Sequence, residues 1–96
     1  MNYELRYSPK AQRQLPTLPE EFIDPLEDQL VELAKSPTSL SVPIASPPFP
    51  PRGQVFHFYL VDSIGDMWFF TVIFQYSQDE RSLYILSVTW REVIEQ

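Results

Sequence analysis

The chain has 96 residues, 44% of them hydrophobic and 15% aromatic, which is enough apolar material for one core and too little length for two. Lys and Arg number 7 against 13 Asp and Glu, a net charge of −6, and this excludes strong sequence-independent binding to nucleic acid or to an anionic membrane, because both need clustered cations. With no cysteine and one histidine, thiolate or His-rich metal sites, disulfides and a cysteine nucleophile are excluded too, and no metal or cofactor is expected.

The opening MNYELRYSPK is polar where a secretory signal would be apolar, and no window approaches about 18 uninterrupted apolar residues, so a cytoplasmic protein is expected. Tyr3 to Tyr7 alternate ring or leucine with charge, the period-two pattern of a short, half-buried strand at or next to a sheet edge, with Tyr3, Leu5 and Tyr7 on one face. Ser8 then supplies an N-cap hydroxyl, and Pro9 fits the first helical position, where a missing N–H costs nothing. A short basic helix follows and ends before Pro16. In the next segment Phe22, Ile23, Leu26, Leu30, Leu33 and Ala34 recur at three-or-four spacing, with Glu20, Glu21, Asp24, Glu27, Asp28 and Glu32 mainly on the opposite side. This second helix starts either near Pro19, with a kink at Pro25, or at Pro25 with Asp24 as its cap, and runs to Lys35.

Residues 36–53 hold six of the ten prolines, including the run SPPFPPRG, and predict a Pro-rich connecting loop with neither helix nor central strand, pinned by Phe49. Ten of the fourteen aromatic residues fall between Phe56 and Trp90, in the runs QVFHFYLV, DMWFFTVIFQYS and RSLYILSVTW. Three strands joined by the short connections DSIGD and QDE predict an antiparallel meander. Alternation places Phe56, Phe58 and Leu60, then Phe70, Val72 and Phe74, then Tyr84, Leu86, Val88 and Trp90 on the helix-packed face. The opposite face carries His57 and Tyr59, Phe69, Thr71, Ile73 and Gln75, then Leu83, Ile85, Ser87, Thr89 and Arg91, and is partly apolar. The expected fold class is α+β in the order β-α-α-β-β-β, two N-terminal helices on a small, mainly antiparallel curved sheet, as one domain over residues 1–96.

This layout, with the opening YELRYSPKAQRQLPTLP, the helix ending LVELAKSP and the closing strand LYILSVTWR, resembles the RelE/ParE toxin superfamily of bacterial type II toxin–antitoxin pairs over nearly the whole chain. The resemblance implies a protein that cleaves mRNA on the ribosome or acts on DNA gyrase and is held inactive by a co-encoded antitoxin wrapped on its surface. Members that cleave RNA resemble one another in a cluster of Lys and Arg on the middle strands, since activating a 2′-hydroxyl and stabilising phosphorane charge require donors aimed at developing charge. Here no Lys or Arg lies between Arg52 and Arg81. Where the family places an arginine in a glycine-aspartate-aromatic-arginine strand, this chain reads Gly65-Asp66-Met67-Trp68-Phe69-Phe70-Thr71. Only Arg91 falls on a position usually basic, and Trp90 stands where a histidine is common.

The sequence therefore supports a toxin-family protein acting through a protein partner, with mRNA cleavage weak or absent. Two alternatives stay open: an active ribosome-dependent endoribonuclease using His57, Tyr59 and Arg91, and a stand-alone binding module or homodimer. Histidine is the side chain that changes charge near neutrality, which makes His57 the acid–base candidate; its plainer reading is a sheet-surface residue. Arg91 reads as a contact for an anion or a partner's carboxylate, or as a strand-end residue pairing Glu92 or Glu95. Candidate partner-binding residues are Arg6, Lys10 and Arg13, the one basic patch near the N-terminus, together with Trp68, Phe69, Arg81 and Arg91. Against this, Arg81 also reads as half of a solvated ion pair with Asp79 or Glu80.

Overall fold

A computed structural model of the chain describes residues 2–44 and 53–94, so Phe49, Arg52 and Glu95 lie outside the described residues. Strand β1 (Glu4–Tyr7) leads through Ser8 into helix α1 (Pro9–Gln14), which a 3₁₀ turn at Leu15–Thr17 extends. A second 3₁₀ turn (Glu20–Phe22) opens helix α2 (Ile23–Lys35). Pro25 thus sits in the first turn of α2, where its missing N–H has no intrahelical acceptor to lose, so neither a kink nor a later start is required. The stretch expected to be a loop contains the four-residue helix α3 (Pro37–Leu40) and the two-residue strand β2 (Val42–Pro43). Both tolerate proline for positional reasons: Pro37 occupies the first helical position, and Pro43 lies on a sheet edge.

Strands β3 (Gly53–Val61), β4 (Met67–Tyr76) and β5 (Ser82–Glu92) form the antiparallel meander, and β1 pairs with β5 in parallel, giving the order β1-β5-β4-β3-β2. The α+β class and the edge position of β1 match the sequence reading, with one helical turn and one edge strand added. Leu26, Leu30 and Leu33 of α2 and Ala11 of α1 bury against Phe56, Phe58, Phe70, Val72 and Phe74. Aromatic rings dominate this layer: Phe70 stacks on Phe58 at 5.2 Å and meets Phe22 edge-on at 5.3 Å. Burial pushes the Tyr7 phenol above its ordinary value, and the Glu27 carboxylate adds to the shift.

The third strand departs from strict alternation. Ile73 pairs with Ser87 while Phe74 pairs with Ile85, which leaves Leu86 as a bulge residue. The bulge reverses which parity faces the helices. Leu83 and Ile85 are fully buried before it, and Val88 takes over after it, whereas Tyr84 and Leu86, expected in the core, are only half-buried. The bulge is clasped by α1. The Ser8 hydroxyl donates to the Leu86 carbonyl at 2.7 Å, and the Gln14 side-chain carbonyl accepts the Val88 N–H at 2.8 Å. With Leu83 and Ile85 in the core, an unbulged β5 would send residues 87, 89 and 91 to the helix side. The bulge is what turns Arg91 to the open face.

Candidate functional site

The sheet face away from the helices has no covering layer among the described residues. Backbone pairing sets its chemistry: Tyr59 on β3 and Arg91 on β5 lie directly opposite Phe69 of β4, while His57 and Thr89 lie opposite Thr71. Phe69 becomes the hub of this group. The His57 ring stacks on it at 5.0 Å with 24° between planes, Tyr59 tilts against it at 5.1 Å, and the Arg91 guanidinium carbon stands 5.2 Å from its centroid. A guanidinium at that distance is held by the ring quadrupole, a contact of roughly 0.5 to 1 kcal/mol at an exposed site. His57 Nδ1 and the Thr71 hydroxyl are 3.3 Å apart, which fixes one edge of the imidazole and leaves the other toward solvent.

Thus the three catalytic candidates, His57, Tyr59 and Arg91, converge on one ring, although more than thirty positions of sequence separate His57 from Arg91. The convergence is chemically modest. Among the described residues it offers an imidazole, a phenol, two threonine hydroxyls and a single fixed cation. The hollow beside them, lined by Phe69, Thr71, Thr89, Trp90 and Arg91, holds about 100 Å³, below the roughly 300 Å³ at which pockets begin to enclose a small-molecule ligand. A larger hollow of about 490 Å³ sits by the β4–β5 turn, lined by Asn2, Tyr3, Glu80 and Arg81 among the described residues, away from the candidate acid–base group. Among the described residues no three His, Asp or Glu side chains lie close enough together to hold a metal ion.

The other candidate residues are dispersed. Arg6 shares the open face, but at the far edge on β1, beside Glu4 at 3.7 Å. Register places Arg6 opposite Tyr84, so roughly 20 Å of strand separates it from Arg91. Lys10 and Arg13 are exposed on α1. Arg81 closes the β4–β5 turn, where its main-chain N–H donates to the Asp79 carboxylate at 3.1 Å. That carboxylate is held below its ordinary value, first by the Ser77 hydroxyl and then by the Arg81 N–H.

Trp68 lies on the helix side, unlike Phe69. Its ring meets Phe22 edge-on at 5.7 Å, and its indole N–H donates to Asp62 at 3.0 Å. Asp62 also accepts the main-chain N–H groups of Asp66 and Ile64, and these donors, Trp68 foremost, pull its carboxyl below the ordinary aspartate value. Trp68 is thereby a fastener of the β3–β4 turn. Sequence reasoning did not single out Thr71 as a partner of His57; the signal available was the hairpin register set by the Asp62–Asp66 turn.

Neither a protein-family model nor a curated protein sequence matches the chain. Solved structures do. A chain of the RelBE2 toxin–antitoxin complex from Mycobacterium tuberculosis superposes with a TM-score of 0.74 at 16% identity, covering 95% of this chain and 100% of that one. The fold is that of the RelE toxins. An arginine-to-alanine double variant of E. coli toxin RelE in the free state gives a TM-score of 0.61 at 19% identity, covering 92% of this chain and 82% of its own. The intact E. coli RelBE toxin–antitoxin complex gives 0.59 at 19% identity, with 98% and 99% covered. No helix among the described residues is long and apolar enough to cross a membrane.

Proposed function

We propose that this chain is a RelE-type toxin-family protein of a toxin–antitoxin module, working through a protein partner, with mRNA cleavage of the family kind weak or absent. The observation that carries the reading is the charge around Phe69: among the described residues one guanidinium, Arg91, rests on its ring, and Arg6 on the same face lies roughly 20 Å away along the strand, where polyanion chemistry calls for several converging cations. Partly apolar side chains around it, including Tyr59, Val61 and Met67, suit a protein surface better than a ribose-phosphate chain. The RelE-type complexes superposed above contain an antitoxin, which supports an antitoxin as the partner here.

The test is co-expression with the product of any short neighbouring reading frame. Co-purification as a stoichiometric complex that Phe69→Lys weakens is the expected result; no complex with any neighbour overturns the reading. A second reading, an active endoribonuclease, is favoured by the convergence of His57, Tyr59 and Arg91 on Phe69. It requires ribosome-dependent mRNA cuts that His57→Ala or Arg91→Ala abolishes. Ribosome and gyrase enter as targets only through the resemblance, and membrane and cofactor have no place in either reading.

A further inference from the structure

The open face differs from the rest of the molecule in the charge it lacks. Of the 13 acids, none lies on β3 or β4, and the one on β5, Glu92, pairs with Trp68 on the helix side. The exception on this face is Glu4, at the far β1 edge, where Arg6 already engages it. A chain of net charge −6 thus keeps an acid-free surface around Phe69, and a partner's carboxylates meet no repulsion from it.

Two groups there can answer a carboxylate. Arg91 is exposed and makes no ion pair among the described residues, so its N–H fork is open to a bidentate acceptor. His57, also exposed, stands on the β3 side of the ring that Arg91 approaches from β5. Each head lies about 5 Å from the Phe69 centroid, so the two are within roughly 10 Å of each other, the width of two strand spacings. The groups facing the imidazole are Tyr59 from β3 itself, Phe69 and Thr71 from β4, and Thr89 and Arg91 from β5, while β2 ends beside Gln54 and Val55. Among these only Arg91 is charged and only the Tyr59 phenol also titrates. Protonation makes both ring nitrogens donors: Nδ1 keeps the Thr71 hydroxyl at 3.3 Å, and Nε2 is left for an incoming acceptor. Because an imidazole changes charge near neutrality, the surroundings of Phe69 hold one cation in weak base and two in weak acid.

We propose that His57 and Arg91 form a proton-linked clamp astride Phe69 for a segment of the partner protein in which an apolar residue stands between two carboxylates. This deepens the reading that a protein partner lands on the open face, and rests on it. The apolar residue covers Phe69 beside the exposed Tyr59, Val61 and Met67. One carboxylate pairs with the Arg91 guanidinium, and the other accepts from Nε2 of the His57 imidazolium. Alternate residues of an extended segment lie about 7 Å apart, and the reach of Asp or Glu side chains covers the remainder. A nucleic-acid strand fits less well, since one permanent cation neutralises one phosphate. Docking takes up a proton at His57, so affinity rises as pH falls through the imidazole range and stays at its lower level above that range.

The test uses the full chain and a blocked peptide, acetyl-Gly-Glu-Leu-Glu-Gly-amide, followed by the NMR shifts of the Phe69 and Tyr59 ring protons. Titrations are run at about pH 5.5 and about pH 8, where the peptide carboxylates are ionised and the imidazole changes charge. The expected result is a perturbation centred on Phe69, with affinity roughly three- to fivefold higher at the lower pH, the range that an exposed ion pair supplies. His57→Gln should bring the lower-pH affinity down to the higher-pH level, and Arg91→Gln should weaken binding at both by at least about tenfold. The proposal is overturned if these rings do not shift with about 10 mM peptide, or if the matching Gln-Leu-Gln peptide binds equally well. It is overturned equally by a pH dependence that survives His57→Gln, or by tighter binding of a single-stranded RNA oligomer at the same rings. A co-expressed complex without peptide binding removes the clamp alone, whereas peptide binding without any complex removes the antitoxin reading alone.

Discussion

Ser8 offers the sharpest test of how the site is positioned. Its buried hydroxyl accepts the Ala11 N–H at 3.0 Å, capping α1, and donates to the Leu86 carbonyl at 2.7 Å, satisfying the bulge. Ser8→Ala removes both. Loss of an N-cap costs about 1 kcal/mol and an unsatisfied buried acceptor about 1 to 3 kcal/mol, so the variant should be destabilised by roughly 2 to 4 kcal/mol. For a domain of this size that corresponds to a Tm lower by about 10 to 25 °C. Urea unfolding monitored by tryptophan fluorescence should show the midpoint falling with the slope unchanged, and Ser8→Thr, which keeps the hydroxyl, should recover most of the loss. A Ser8→Ala variant within about 0.5 kcal/mol of wild type would refute the clasp, because neither the cap nor the bulge carbonyl would then depend on that oxygen.

Phe70 is fully buried between Phe22 and Phe58, so Phe70→Ala should cost about 3 to 5 kcal/mol in the same assay; a loss below about 1.5 would place the core elsewhere. Asp62 has a native value below the ordinary 3.8, so the stability it gives is complete above that value and is lost as pH falls through the lowered one. The gap between wild type and Asp62→Asn should accordingly be full at neutral pH and close in strong acid, whereas a gap independent of pH would contradict the assigned hydrogen bonds. Gly65 holds φ +92° with nothing within 4 Å of an added Cβ, so Gly65→Ala should destabilise by about 1 kcal/mol through backbone strain alone; an unchanged midpoint would argue against this turn geometry.

The fold was legible where side-chain period and backbone agreed. Phe56, Phe58, Phe70, Val72 and Phe74 alternate without interruption, and the core contains them all. Ser8 and Pro9 mark the start of α1 through local chemistry that needs no tertiary context. Legibility failed at Leu86, because a bulge is paid for by distant partners, here Ser8 and Gln14, that no window around Leu86 contains. Alternation placed Phe69 correctly on the open face, but Trp68, grouped with it as a partner-facing residue, turns to the helix side against Phe22. The grouping of His57, Tyr59 and Arg91 was visible as shared parity, but their convergence on Phe69 needed the register across three strands. Residues 36–44 show the limit of composition as a guide: proline density was read as leaving neither helix nor central strand, yet a helix begins at Pro37, where proline costs no hydrogen bond, and an edge strand holds Pro43.

The reading that this RelE-type fold has lost most of its cationic equipment meets its most direct test in a translating bacterial extract. Purified chain is added and the 5′ ends of a reporter mRNA are mapped by primer extension. The structure-based expectation is a pattern indistinguishable from that of the extract alone. New ribosome-dependent ends that vanish with His57→Ala or Arg91→Ala would show that one histidine and one arginine around Phe69 suffice for cleavage.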